Sequence, residues 1–215
     1  RAANEKKDQS YMLYRLGQEV LSRLLFPLGE LTSKDMTREL ARENSLQNAD
    51  RKDSQEICFI DPTENYVDYI ERAGFSSEPG DFIDKNGKIL GRHQGILHYT
   101  IGQRKGLGIA LGKPAFVTKI DFENNSITLG DNEDLFHTTV VSKKNIFSAH
   151  SPETYDGKKV FAKVRYSAAP AEAVLKINAN HITTEFKQPQ RAAAPGQSIV
   201  FYDDNRVIGG GFISE

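Results

Sequence analysis

The 215-residue chain contains one cysteine and five histidines, and its candidate chemistry starts there. Cys58 stands in Lys52-Asp-Ser-Gln-Glu-Ile-Cys-Phe-Ile. Two readings of that thiol stand side by side. Ile57, Phe59 and Ile60 are the neighbours of a cysteine that packs in a core, as free cysteines commonly do. Arg51 and Lys52 are cations of the kind that stabilise a reactive thiolate, and Asp53-Ser-Gln-Glu is a polar run to lead into a core strand. His93 and His98 are five residues apart, which aligns them on neither a strand nor a helix. With one cysteine and no carboxylate cluster beside them, no metal site is expected, and both histidines read as ordinary polar or loop residues.

Three further segments carry types that suit nucleic acid. Gly102-Gln-Arg-Lys-Gly-Leu-Gly is glycine-rich and basic. It lacks the Gly-Lys-Ser/Thr of a nucleotide-triphosphate loop and the third glycine of a dinucleotide fingerprint. It reads either as a tight connection between strands or as a loop that offers Arg104 and Lys105 to a phosphate. Lys6-Lys-Asp-Gln is a solvated approach to a helix, with Asp8 or Ser10 as its cap. Arg165-Tyr166 closes a strand with a cation beside an aromatic ring, a pair suited to phosphate plus base or ribose and also common on plain surfaces.

The elements that must position these residues change character along the chain. From Tyr11 to Leu25, Leu13, Leu16, Val20 and Leu24 recur at helical spacing, and Pro27 and Gly29 end the run. Thr32 is expected to cap a second helix with Met36, Leu40 and Ala41 on its buried face. A third helix is expected from Glu64 to Ala73, stopped by Gly74. Beyond Gly74 the apolar residues alternate. Phe116–Phe122 and Ile127–Leu129 read as a hairpin around an Asn-rich turn. Val160–Tyr166, Ala171–Ile177, Ile182–Phe186, Ser198–Tyr202 and Val207–Ile213 read as five more strands, with Asp203-Asp-Asn turning between the last two. Many short, closely spaced strands favour a small antiparallel barrel. The fold class is therefore α+β, with a helical first part, a hairpin near Asp84-Lys-Asn-Gly, and a border between Gly74 and His93.

A hydrophobic content of 38% supports a core, and a net charge of −1 excludes binding nucleic acid by bulk charge, which leaves a local basic face. One cysteine excludes an internal disulfide scaffold. No signal peptide or bilayer-length apolar run is present, so a soluble, cytoplasmic protein without a membrane partner is expected.

Taken in order, the segments resemble successive motifs of the tRNA-specific 2-thiouridylases. These are Lys7-Asp-Gln-Ser-Tyr, Phe26-Pro-Leu-Gly-Glu-Leu, the Ile57-Cys-Phe-Ile stretch, Pro79-Gly-Asp, His93-Gln-Gly and Tyr99-Thr-Ile-Gly-Gln-Arg-Lys-Gly-Leu-Gly-Ile. Lys163-Val-Arg-Tyr, Pro195-Gly-Gln-Ser-Ile-Val-Phe-Tyr and Gly209-Gly-Gly-Phe-Ile follow. The resemblance implies that residues 1–28 are the remnant of an ATP-pyrophosphatase domain, 29–92 a central domain carrying Cys58, and 93–215 a tRNA-binding β-barrel. It implies an enzyme that uses ATP to adenylate the wobble uridine, and Cys58 as the persulfide that supplies sulfur, loaded by a donor or relay protein. Lys7, Asp8, Gln9, Arg165, Tyr166 and Gln197 are implied tRNA contacts. The family's Ser-Gly-Gly-x-Asp-Ser loop and its first catalytic cysteine are not in this sequence, so the chain by itself is expected neither to adenylate tRNA nor to close the catalytic disulfide. The alternative is a non-catalytic tRNA-binding module with Cys58 as a packing residue.

Overall fold

The computed structural model describes residues 1–51, 60–61, 64–148 and 150–214. The chain forms two compact units, residues 1–52 with 137–215, and residues 53–136. Among the described residues no helix is long and apolar enough to cross a membrane.

The first unit is built on a closed six-stranded barrel, β10-β5-β8-β7-β6-β9. Its strands are β5 (Phe136–Phe147), β6 (Lys159–Lys163), β7 (Ala171–Ile177), β8 (Ile182–Arg191), β9 (Ser198–Asp203) and β10 (Arg206–Ile213). The expected limits of β7 hold to the residue, and those of β9 and β10 to within one. β5 was not expected. It reads poorly because its burial pattern gives only Val140 and Ser142 a fully buried position, and Lys143-Lys144 interrupts its second half. Lys144 adopts a positive φ of 51°, and the register with β10 shifts between Gly210 and Phe212. The barrel interior is filled by alternate residues of its strands, among them Val160, Ala162, Leu175, Ile199 and Phe201.

β9 departs from alternation: Ile199, Val200, Phe201 and Tyr202 are all buried. Ile199 and Phe201 face the barrel core, while Val200 and Tyr202 belong to a second cluster with Tyr11 and Tyr14. A strand buried on both faces reads as a continuous apolar run. The cover on the outer face is the N-terminal segment, in short 3-10 turns at Glu5–Lys7 and Ser10–Leu13. The helix expected over Tyr11–Leu25 reduces to α1, Gln18–Leu21. Tyr11 and Tyr14 turn toward the barrel, and Gly17 is extended at φ −73° and ψ 165°, which breaks helical continuity between them and α1. α2 (Lys34–Glu43) is capped by Ser33, whose Oγ accepts the Met36 N–H at 3.2 Å, one residue beyond the expected Thr32. Met36 and Leu40, expected to be buried, are exposed.

The second unit holds α3 (Tyr66–Arg72) and a mixed sheet of order β2-β1-β4-β3, from β1 (Gly80–Ile83), β2 (Ile89–His93), β3 (Phe116–Asp121) and β4 (Ser126–Gly130). Asp84 makes the expected first turn: its Oδ1 accepts the N–H groups of Asn86 and Lys88, and Gly87 takes a φ of 84°. β1 and β4 are parallel, which joins strands from both sides of residue 93 in one sheet. The border expected between residues 92 and 93 thus falls at the end of β2, inside this unit.

Candidate functional site

The N-terminal segment is folded around one carboxylate. Asp8 is buried, and its Oδ1 accepts the N–H groups of Ala2 and Ser10, each at 3.1 Å. Its Oδ2 accepts the Ser10 hydroxyl at 2.7 Å and the Arg1 Nε at 3.2 Å. Burial pushes the carboxyl upward, but the Ser10 side chain, the two backbone N–H groups and Arg1 outweigh it and hold Asp8 below the usual carboxylate value. This knot presents Lys7 and Gln9 on either side of Asp8.

The segment is then pinned to the barrel by its tyrosines. Tyr11 donates its hydroxyl to the Ser198 carbonyl at 2.7 Å, and the hydroxyls of Tyr14 and Ser198 lie 2.9 Å apart. Burial, followed by the neighbouring Tyr14 and Tyr202, pushes the Tyr11 phenol up to about 12. Gly210 makes the approach possible. A Cβ there would lie 2.7 Å from Tyr14 Cδ2 and press on the Ile199 carbonyl. The middle of Gly209-Gly-Gly thus serves as the floor beneath Tyr14.

Gln9 and Tyr166 are brought together although 157 residues separate them: Gln9 Nε2 donates to the Tyr166 hydroxyl at 2.9 Å. The rings of Tyr11 and Tyr166 meet edge to face at 6.0 Å. Lys163 faces both, its Nζ 5.7 Å from the Tyr11 centroid and 5.6 Å from that of Tyr166. Burial pulls the Lys163 ammonium below its ordinary value; the Asp8 charge opposes this and the Arg1 charge adds to it. β6 pairs with β9 as Phe161↔Tyr202, Ala162↔Phe201 and Lys163↔Val200, so the register runs from Lys163 toward Arg165 on one strand and toward Ser198 and Gln197 on the other. Gln197 is exposed beside Gly196, whose φ is 85°. Arg165 is half-buried, with its Nε buried and without a hydrogen-bond partner among the described residues. Within those residues neither Lys163 nor Arg165 has a carboxylate at ion-pair distance.

Beside the segment lies a cavity of about 600 Å³ with Leu13, Phe26 and Leu28 on its apolar wall and Lys7 and Lys34 on its polar one. Lost hydration, then the charges of Lys7 and Arg38, holds the Lys34 ammonium below its usual value.

In the second unit, Arg104 and Lys105 are exposed on a loop shaped by its own glutamine. The Gln103 side chain accepts the Thr100 N–H at 3.0 Å and donates to the Lys105 carbonyl at 3.0 Å. Gly102, Gly106 and Gly108 all take positive φ there. His93, expected to be an ordinary loop residue, is a buried strut. Its Nδ1 accepts the Gly95 N–H at 3.0 Å, which leaves Nε2 to donate to the Asn125 carbonyl at 3.2 Å. Burial keeps it below the ordinary histidine value, in favour of the neutral ring that these bonds require. Gly80 leaves the room, since a Cβ there would lie 2.7 Å from His93 Nε2. Cys58 lies outside the described residues.

Three family models match successive stretches: a tRNA methyl transferase HUP domain over residues 1–62, a tRNA methyl transferase PRC-barrel domain over 68–131, and an aminomethyltransferase beta-barrel domain over 137–213. The tRNA-specific 2-thiouridylase MnmA of Lachnoclostridium phytofermentans is 47% identical over 216 residues, which cover 99% of this chain and 59% of that protein. The chain is a homologue of the tRNA-specific 2-thiouridylases. The 2-thiouridylase of Clostridium perfringens is 48% identical over 99% of the chain and 59% of its own length, and that of Carboxydothermus hydrogenoformans 44% identical over 100% and 59%. The chain thus spans about three fifths of the length of the curated 2-thiouridylases it matches.

Sequence reasoning missed Lys163 and Tyr11 as parts of the site. A signal for both was present. Lys163 stands inside the expected Val160–Tyr166 strand between the apolar Ala162 and Val164, and β9 is apolar on both faces, so something had to cover that side of the barrel.

Proposed function

We propose that the chain is the sulfur-carrying and tRNA-holding part of a tRNA-uridine 2-sulfurtransferase. One observation carries this reading: Gln9 and Tyr166, two of the six residues named as tRNA contacts, are bonded to each other, and the β6–β9 register brings the chain segments that carry Arg165 and Gln197 to the same end of the barrel. Arg165 has no carboxylate at ion-pair distance among the described residues, and such a cation close to an exposed aromatic ring suits a phosphate backbone and an unstacked base. Lys7 adds a contact from the exposed turn beside the cavity. Asp8 acts from beneath, by shaping the segment that presents Lys7 and Gln9. Arg104 and Lys105 offer phosphate contacts from the second unit.

In this reading ATP is consumed by the HUP-type domain of the whole enzyme, which adenylates the 2-position of the wobble uridine. A persulfide on Cys58, loaded by a sulfur donor or relay protein, attacks that carbon through its terminal sulfur, and AMP leaves. A second cysteine of the whole enzyme then attacks Cys58 Sγ, forms a disulfide and releases the 2-thiouridine. The role of Cys58 rests on its motif.

The test is sulfur loading. Incubation with a cysteine desulfurase, its relay proteins and cysteine is expected to add a sulfur adduct to the intact mass of the chain, and Cys58→Ser is expected to remove it. Absence of the adduct, under conditions that load a known acceptor, would leave the non-catalytic tRNA-binding module as the reading.

A further inference from the structure

The residue that the tRNA-holding reading does not use is Lys163. Lysine is among the side chains least often buried, because its ammonium is strongly hydrated. Here it is 8% exposed, on the strand face that points away from the barrel core. A buried ammonium ordinarily has a carboxylate beside it, and among the described residues none lies at ion-pair distance from this one. What it has is two aromatic faces inside the range of a cation–π contact.

Those rings are not equivalent. Tyr11 is buried and its hydroxyl donates to the Ser198 carbonyl, which anchors the far end of the side chain. Tyr166 is 41% exposed and is held by the Gln9 amide, the edge of Tyr11 and Lys163. The ammonium therefore links a buried, anchored ring from the N-terminal segment to a solvent-facing ring from the barrel. We propose that Lys163 is a positioning residue: it locks Gln9 and Tyr166 into one recognition unit by holding the faces of Tyr11 and Tyr166 on a single cation. The groups around it are Asp8 and Arg1 from the segment and the two tyrosines. The assignment rests on the proposal that this face holds tRNA.

Lys163→Met keeps the length and apolar stem and removes the charge, and Lys163→Arg keeps the charge. In the full chain, Lys163→Met is expected to weaken binding of a tRNA with a wobble uridine about tenfold, the loss of two modest cation–π contacts. The slope of log affinity against log salt should stay unchanged, because that slope counts neutralised phosphates. Amides of Asp8–Tyr14 should exchange faster with solvent, and Lys163→Arg should restore both affinity and protection. Arg165→Glu tests the tRNA face itself: weaker binding with a shallower salt slope is expected.

A slope made shallower by about one in Lys163→Met, with amide protection intact, would make Lys163 a direct phosphate contact and overturn the positioning role. Unchanged affinity and unchanged protection would remove the clamp altogether. If the parent chain binds no tRNA and Arg165→Glu changes nothing, the tRNA reading fails while amide exchange still decides the clamp. Should Lys163→Met not fold, Tyr166→Leu removes the exposed face of the clamp. Faster exchange at Gln9–Tyr11 is then expected, and unchanged exchange would refute it.

Discussion

The first fourteen residues and the thirty that follow are similar in apolar content, and the two tyrosines of the first differ in fate from most large apolar side chains of the second. Tyr11 and Tyr14 are buried on the outer face of the barrel, whereas Val20, Leu24, Phe26, Leu28, Met36 and Leu40 are exposed. Local pattern does not separate the two stretches; if anything the helical spacing favours the second. The difference is the surface opposite. Tyr11 and Tyr14 meet Val200 and Tyr202, a floor of glycine at position 210, and hydrogen-bonding groups of Ser198 placed for their hydroxyls. An apolar stripe states that a face wants cover, and only a complementary surface turns that into burial.

The largest expected contrast between the stretches comes from deleting side chains. Tyr11, 7% exposed, should cost about 3 kcal/mol when replaced by alanine, and Leu25, 90% exposed, less than about 0.5 kcal/mol. Urea unfolding of the two variants measures this; equal losses would mean that the docked segment contributes no more than the exposed one.

Adding a methyl group sharpens the same comparison from the barrel side. Gly210→Ala sets a Cβ against Tyr14 and the Ile199 carbonyl and should destabilise by about 1–3 kcal/mol. At Gly17 nothing lies within 4 Å of an added Cβ and φ is −73°, so Gly17→Ala should be neutral or slightly stabilising. Thermal melts of both variants are the check.

The smallest effect is an alkaline one. Tyr11 ionises near 10 when unfolded and is pushed up to about 12 when docked. The fold therefore favours the neutral phenol. Its contribution is complete below pH ~10 and is lost as the pH rises toward about 12, because the unfolded chain releases its proton first. Tyr202 titrates in the same raised range through its own burial. Absorbance titration of tyrosinate should show a late-ionising group that Tyr11→Phe removes. Ionisation of Tyr11 near its unfolded value of about 10 would mean that the segment is not seated.

The site was legible in sequence to different depths. Gln9, Arg165, Tyr166 and Gln197 could be named from their motifs, but motifs do not say that Gln9 touches Tyr166. Asp8 was named with them and sits inside the knot, because a carboxylate surrounded by nearby N–H and O–H donors is better satisfied inward than in solvent. His93 reads as an ordinary polar or loop residue in the sequence and is a buried strut in the fold, because its partners, Gly95 and the Asn125 carbonyl, give no pattern in the chain around it.

What the sequence determined by itself is what local forces decide. Alternation set β7, short apolar runs bounded by turn residues set β9 and β10, and side-chain hydrogen bonding with positive-φ positions set the turns at Asp84–Gly87 and at Asp204, whose φ is 49°. Tertiary structure alone decided β5, whose polar residues become a strand because β10 offers a partner. It also decided which apolar stripe is covered, and that a lysine at a strand end is enclosed by two tyrosines. Those outcomes depend on surfaces contributed from about 60 to nearly 190 residues away, and no periodicity within the segments encodes the face each will meet.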